Sequence, residues 1–340
     1  MRSISIKTKN HTCPVLIDCE AVEDFAWKNV QTSRVAIITE KTPRKFFGKE
    51  LEKTLKKNKI PYDFLEIKGG ESAKVLKTIE DLANQMLVKG YDRDCLVISL
   101  GGGVVGDIAG FLAATYKRGV KLIHIPTTFL AMVDSSLGGK NGVNLPQGKN
   151  MLGTIYQPVA VLINLEYLVK LPEREWRNGF AEVIKYGMIW DEKLFCFLEK
   201  HILTRDQKDL EYIVSEAVKV KKSIVERDEH EENLRKILNY GHTIGHAIEI
   251  ASGHAISHGE AVAIGMSIEG KMAVERGILR AGDYERQNKL LVAFRLPTEY
   301  AGDLSRLLDI AKGDKKNKGG QISFIFPEKI GKANLHSLDK

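Results

Sequence analysis

Histidine is the side chain most often recruited to bind a transition metal or to move a proton near neutral pH. Four of the nine histidines in this 340-residue chain fall within seventeen residues: His242, His246, His254 and His258. His242 and His246 stand one turn apart on one helical face, a spacing that suits two ligands of a zinc ion. Spacing favours that pair and leaves His242 with His258 as the alternative. Glu182, in Phe180-Ala181-Glu182-Val183-Ile184-Lys185, lies on an amphipathic helix and can supply an oxygen donor. Two histidines and one carboxylate leave coordination positions open to a substrate, which is the catalytic rather than the structural zinc arrangement. Cobalt accepts the same donors, so the ligand set does not choose the metal.

A second group of residues is cationic. At 100° per residue, Ile213, Val214, Ala217, Val218, Val220, Ile224 and Val225 share one helical face, and Lys221 falls in its middle. A lysine there must either extend its tip to water or meet an anion. Lys140, Lys149, Asn150, Lys185, Arg235 and Asn239 lie beside glycine-rich or histidine-bearing segments. They suit a phosphorylated, multiply hydroxylated ligand, with point charges for phosphate and amides for hydroxyls. The glycines of Gly138-Gly139-Lys140-Asn141-Gly142 and Gly148-Lys149-Asn150 would let the backbone close on it.

A third feature is Gly101-Gly102-Gly103-Val104-Val105-Gly106-Asp107, which matches G-x-G-x-x-G and runs from a strand into a helix. Such glycines let backbone N–H groups approach a pyrophosphate, although a tight strand-to-helix turn can need them too. Thr127-Thr128 follows another strand, and Gly69-Gly70-Glu71, with Lys74 one turn on, follows a third. Ligand-type residues at three strand ends favour a dinucleotide.

The elements that must position these groups differ between the two halves of the chain. Strands are expected at Val35–Thr39, Tyr62–Ile67, Cys95–Leu100 and Val120–Ile125. Between them lie helices marked by Phe46, Phe47, Leu51 and Leu55, by Val75, Leu76, Ile79, Leu82, Ala83 and Met86, and by Val104–Thr115. Alternation with apolar strands predicts a mainly parallel, Rossmann-like α/β domain, residues 1–172. From Glu173 to about Leu291 the periodicity is helical, and only Gln321–Phe326 reads as a late strand. A mostly α-helical metal- and substrate-binding domain, residues 173–340, is therefore expected.

Composition excludes several classes. Hydrophobic residues at 43% and charged residues at 28% describe an ordinary globular chain. The weakly polar run Leu96–Tyr116 is broken by five glycines and Asp107, so no membrane span is expected, and no export signal is read at the start. A cytoplasmic location is the default. Fifty-one basic against 44 acidic residues give a net charge of +7, which favours anionic partners. The lysines are interleaved with acid and not with aromatics, so a phosphorylated metabolite is expected and nucleic acid is not. The four cysteines form no CxxC pair, which argues against a disulfide framework or a thiolate zinc site.

The segments GGGVVGD, PTTFLAMVDSSLGGK, GKNMLGTIYQP, FAEVIKYG, LRKILNYGHTIGHAIE and HGEAVAIGM resemble the 3-dehydroquinate synthases of the sugar phosphate cyclase family. The resemblance extends from about Val35 to Pro327. It implies an NAD-binding domain, a metal domain binding zinc or cobalt, and a homodimer. The implied reaction converts 3-deoxy-D-arabino-heptulosonate 7-phosphate to 3-dehydroquinate and phosphate, in the shikimate pathway to aromatic amino acids. It would proceed through transient NAD oxidation, β-elimination of phosphate, re-reduction, ring opening and aldol closure. By this resemblance the metal ligands are Glu182, His242 and His258, and His246 becomes a proton relay near the substrate phosphate. Asp134, Lys140, Lys149, Asn150, Lys185, Lys221, Arg235, Asn239 and one of Lys315 or Lys316 would line the substrate, with Arg118 reaching the phosphate from the partner subunit. NAD contacts would fall on Glu71, Lys74, Gly102, Gly103, Asp107, Thr127, Thr128 and Lys149, with Lys140 beside them. The chain departs from the family pattern at Glu40, where an adenosine-ribose contact is expected, and at Lys170 and Asn141.

Three other readings stay open at this stage. Another sugar phosphate cyclase would form a cyclitol. A metal-dependent polyol dehydrogenase would release NADH stoichiometrically. A non-catalytic nucleotide- or phosphate-binding protein would not need His242.

Overall fold

The computed structural model describes residues 2–253, 255–304, 306–307, 309–310 and 322–338. The chain divides into two compact units, Met1–Leu171 with Lys221–Glu226, and Pro172–Val220 with Arg227–Lys340. No helix among the described residues is long and apolar enough to cross a membrane.

The first unit begins with β1 (Arg2–Lys7) and β2 (Thr12–Asp18), an antiparallel pair. Then come β3 (Val35–Thr39), α1 (Lys41–Lys57), β4 (Tyr62–Glu66), α2 (Leu76–Val88), β5 (Leu96–Gly101), α3 (Gly103–Thr115) and β6 (Lys121–Pro126). A hairpin of β7 (Lys140–Leu145) and β8 (Gly148–Ile155) precedes β9 (Ala160–Asn164). The seven-stranded sheet has the order β1-β2-β9-β6-β5-β3-β4, and every neighbouring pair except β1 with β2 is parallel. Parallel strands are covered on both faces, which is why β3, β5 and β9 are buried at every residue and read as continuous apolar runs. Chain order reverses beside β3: β4 lies on one side of it and β5 on the other. The crevice beyond the carboxyl ends at such a reversal is where open α/β sheets take ligands.

The second unit carries α4 (Glu173–Ile189), α5 (Glu192–Lys200), α6 (Gln207–Val225), α7 (His242–Ala251), α8 (His258–Glu275) and α9 (Ala281–Ala293). It ends in an antiparallel pair, β10 (Ile322–Lys329) and β11 (Lys332–Leu338). The final residues of α6 are grouped with the first unit. The seven apolar positions expected on one face of α6 are all buried. Helices α7 and α8 pack backbone to backbone: a Cβ on Gly265 would lie 1.9 Å from the carbonyl oxygen of Gly241. Gly241 itself has φ +76°, the left-handed conformation that favours glycine, at the residue that starts α7.

Besides the strands β1, β2, β9 and β11, which the sequence reading did not include, three details differ from the sequence expectation. Val75 and Leu76, assigned to the buried face of α2, are 37% and 46% exposed, because α2 begins at Leu76 and its contact face starts one turn later with Ile79. Phe46 is also exposed, and Leu51 and Leu55 supply the contact of α1. The segments expected to close on a ligand as glycine-flanked loops form the β7–β8 hairpin, whose residues are too polar to announce strands.

The contact between α7 and α8 gives a direct test. Gly265→Ala is expected to destabilise the fold by roughly 1–3 kcal/mol or more through overpacking. Gly282→Ala in α9, whose added Cβ meets nothing within 4 Å, should be neutral or slightly stabilising. Thermal unfolding of the two variants checks this.

Candidate functional site

The strand-end residues of the first unit form a coherent cradle. Gly102 is the residue before α3, and no side chain caps that helix. Its first-turn N–H groups have no intrahelical acceptor and so suit an anion. The wall opposite is close: a Cβ on Gly102 would lie 3.0 Å from Thr128 Cγ2, and one on Gly103 would lie 3.1 Å from Ser135 Oγ. The Thr127 N–H donates to the Gly101 carbonyl at 2.9 Å, which pins the end of β6 against the end of β5. Glu40 follows β3 and faces Gly69 and Gly70. Burial raises its carboxyl pKa, and the Gly70 N–H that donates to it acts against that rise.

Beside this cradle runs a polar network. Lys74 is 4% exposed and pairs with Asp107 at 2.6 Å, while its Nζ also donates to Asn150 Oδ1 at 2.6 Å. Burial raises the Asp107 carboxyl pKa, and the Lys74 ammonium opposes the rise. Asn144 ties the β7–β8 hairpin in place: its amide donates to Glu71 at 2.7 Å, its side-chain oxygen accepts from the Asn150 N–H at 2.8 Å, and its own N–H donates to the Lys74 carbonyl at 2.7 Å. Asp107, Lys140, Asn141, Asn150, Gly153, Thr154 and Ile155 line a cavity of about 410 Å³. Lys140 opens β7 and is exposed, and Lys149 is half-buried in β8.

Asp134 lies on a π-helical turn, Ala131–Ser135, and its carboxylate pairs with the buried ammonium of Lys221. Lys221 thus meets an anion, one of the two outcomes its place in an apolar face allowed. Arg118 is exposed on a turn where Lys117, Arg118 and Gly119 all have positive φ, +46°, +68° and +116°. Lys170 is exposed at the end of a 3-10 turn.

The second unit gathers the histidines. Glu182 is fully buried on α4, and Lys185, three residues on, pairs with its carboxylate. Nε2 of His258 lies 3.5 Å from Glu182 Oε1, and Nε2 of His242 lies 3.7 Å from the same oxygen. Ligands about 2.0–2.1 Å from a tetrahedral zinc stand roughly 3.3 Å apart, so these separations fit the edges of a coordination tetrahedron. The donor atoms of Glu182, His242 and His258 all lie within 4.8 Å of one another, as do those of His246, Glu249 and His258. Glu182 is therefore grouped with His258, from the next helix, and not with the one-turn neighbour His246.

Protonation completes the fit. Nδ1 of His242 lies 3.1 Å from the Tyr240 carbonyl, which can only accept, so the proton sits on Nδ1 and Nε2 is left as a donor to metal. Burial, reinforced by the Lys185 charge, holds the His242 pKa well below its usual value and keeps the ring neutral. For His258 burial also works downward, but the carboxylates of Glu182 and Glu249 outweigh it and push the pKa up to about 9. Without an ion, a proton on His258 supplies the positive charge these carboxylates need.

Arg235 and Asn239 sit on the 3-10 turn Leu234–Asn239, just before α7. Arg235 is 1% exposed and its guanidinium donates to the Glu229 carbonyl at 2.6 Å. Asp228 accepts backbone N–H bonds from Glu232, Asn233 and Arg235, which fixes the loop and lowers the Asp228 pKa against its burial. Asn239 donates to Glu231 at 3.0 Å. His254, Lys315 and Lys316 lie outside the described residues. Sequence reasoning missed Asn144, which no local pattern marks, and Glu249, which the i, i+4, i+7 series His242, His246, Glu249 could have revealed.

A family model described as 3-dehydroquinate synthase N-terminal matches residues 64–178, and one described as 3-dehydroquinate synthase C-terminal matches residues 179–317. The chain is 42% identical over 346 residues to a 3-dehydroquinate synthase of Caldanaerobacter subterraneus subsp. tengcongensis, across 99% of this chain and 97% of that one. Among solved structures it is similar to a 2-deoxy-scyllo-inosose synthase complexed with carbaglucose-6-phosphate, NAD+ and Co2+, at 27% identity and a TM-score of 0.91, over 99% of this chain and 96% of that chain. It is also similar to a 2-epi-5-epi-valiolone synthase from Streptomyces hygroscopicus subsp. jinggangensis 5008 with NAD+ and Zn2+ bound, at 28% identity and a TM-score of 0.89, over 98% and 95% of the two chains.

The proton on His258 must leave before Nε2 can bind an ion, so zinc affinity should fall about tenfold per pH unit below roughly pH 9. His258→Ala is expected to weaken zinc more severely than His246→Ala, to a residual affinity without this pH dependence, whereas His246→Ala keeps the dependence. Chelator competition at several pH values measures all three proteins.

Proposed function

The chain belongs to the 3-dehydroquinate synthase family, and we propose that its two units divide the family's reaction into cofactor binding and metal-assisted substrate binding. The activity is conversion of 3-deoxy-D-arabino-heptulosonate 7-phosphate to 3-dehydroquinate and phosphate. The observation that carries the reading is the buried Glu182 carboxylate facing two histidine Nε2 atoms at 3.5 and 3.7 Å. When bound, NAD supplies a reversible hydride acceptor and a divalent zinc or cobalt ion supplies a Lewis acid toward the substrate hydroxyls.

The first unit is the NAD-binding domain. The uncapped N-terminus of α3, with Gly102 and Gly103, takes the pyrophosphate, and Thr127 and Thr128 form its opposite wall. Glu71, Lys74, Asp107 and Lys149 position the nucleotide, and Glu40 meets the adenosine ribose. Asp134, Lys140, Asn150 and Lys221 bind the substrate.

The second unit holds the metal through Glu182, His242 and His258. Lys185 balances the charge of Glu182 and binds substrate. Arg235 and Asn239 hold the phosphate and hydroxyls, and His246 relays a proton at the departing phosphate. Because the phosphate's own oxygen can take the proton lost in β-elimination, the chain has to fix the phosphate with cations and needs no dedicated base there. Orientation of the opened ring then controls the aldol closure.

A hydride acceptor used reversibly in this way would be regenerated in each turnover, so the net reaction would consume no NAD. The protein acts as a homodimer in this reading, with Arg118 serving the partner's phosphate site, supported by its exposed left-handed turn. NAD and phosphorylated sugars are cytoplasmic metabolites, which supports a cytoplasmic location.

With this substrate, catalytic NAD and zinc, phosphate should be released with no lasting absorbance at 340 nm, and a chelator should abolish release. Steady NADH accumulation would instead indicate a polyol dehydrogenase, and turnover only of other sugar phosphates would indicate a cyclitol-forming cyclase. Lys221→Met should fold normally by circular dichroism yet lose about a hundredfold or more in kcat/KM. An unchanged rate would reduce Lys221 to a structural partner of Asp134.

A further inference from the structure

The two histidines grouped with Glu182 turn the same ring atom toward it, and each has a different group behind it. Nε2 of both faces Glu182 Oε1. Behind His242, Nδ1 meets a neutral backbone carbonyl, that of Tyr240, at 3.1 Å. Behind His258, Nδ1 faces a carboxylate, Glu249 Oε2, at 3.6 Å. Glu249 lies on α7, seven residues after His242 and hence two turns along the same face, and it is 7% exposed. A buried carboxylate is retained at low cost only where it meets positive charge or a hydrogen-bond donor.

We propose that Glu249 is a positioning residue for the metal. It receives the Nδ1–H of His258, fixes the tautomer that leaves Nε2 free to coordinate, and makes that nitrogen more basic. The proposal rests on Glu182, His242 and His258 being the metal ligands. At 3.6 Å the contact is just longer than a hydrogen bond, and a metal ion held at Nε2 would make Nδ1–H a stronger donor toward Glu249. The ligand shell is then asymmetric. His242 is held by an uncharged backbone acceptor just before α7, and His258 by a charged side chain whose removal leaves the backbone in place.

The test is zinc binding to the whole protein, freed of metal and measured by competition with a chromophoric chelator. Glu249→Gln keeps the volume and polarity of the side chain and removes its charge. It is expected to weaken zinc by roughly 10–100-fold while circular dichroism stays unchanged, and to shift the visible spectrum of the cobalt-loaded protein. In a His258→Ala background the same substitution should change zinc affinity no further, because its effect passes through His258. If Glu249→Gln does not fold, Glu249→Asp serves instead, with its carboxylate drawn back one methylene, and should weaken zinc several-fold.

Zinc affinity within twofold of the unsubstituted protein would overturn the proposal, and so would an equal loss in the His258→Ala background. A fall from two bound zinc ions to one would also overturn it, making Glu249 a ligand of a second ion with His246 and His258. If instead His242→Ala and His258→Ala leave zinc binding untouched, the ligand reading itself fails and the proposal falls with it.

Discussion

A carboxylate taken wholly out of water has to be surrounded by positive charge, and Glu182 imposes that condition on the second unit. It is fully buried among the apolar residues of α4, where an uncompensated charge would cost several kcal/mol. Lys185 answers part of the demand from the same helix. More comes from His258 on α8, whose pKa the carboxylates raise, while α7 turns the neutral His242 to the same oxygen. Placing two separate helices that closely requires them to meet without intervening side chains. The glycines at 241 and 265 permit it. A second buried carboxylate, Glu269, accepts the N–H groups of Gly241 and Ile244 at 2.8 and 3.1 Å and so anchors the first turn of α7 from α8.

What could be read from the sequence followed from how far each signal reaches along the chain. Strands β3, β5 and β6 were legible because strands buried on both faces are runs rich in valine, isoleucine and leucine. The strand-end residues were legible for the same reason, since knowing where a strand ends locates Gly102 or Thr127. The β7–β8 hairpin was not. Its asparagines, lysines and glycines resemble a loop, and Asn144 acquires meaning only through Glu71 and Lys74, some seventy residues earlier. The proposed metal ligands were half legible. Helical spacing joins His242 to His246, but it cannot join His242 to His258, because that contact crosses from α7 to α8 and depends on the approach of Gly265 to Gly241. Spacing left that pair as an alternative, and only resemblance to known sequences preferred it.

The first unit solves a different problem with neutral groups. Its anion cradle is made of backbone N–H groups at α3, which carry partial charge and no desolvation penalty comparable to a buried ammonium. Where it buries a charge, as at Lys74, it surrounds it with Asp107, Glu71 and the amide oxygen of Asn150. The lysine thereby links α3, the Glu71 turn and the β7–β8 hairpin, three segments that share no ladder hydrogen bonds with one another.

Lys221 and Asp134 belong to the same unit, so this lysine's charge is compensated whether or not a ligand is present. An incoming anion does not meet a bare cation; it competes with a carboxylate held in place by the fold. The desolvation of this ammonium is therefore met by the fold itself, and on the proposed reading a substrate anion has to offer more than charge to engage it: oxygens placed where the lysine's remaining donors point.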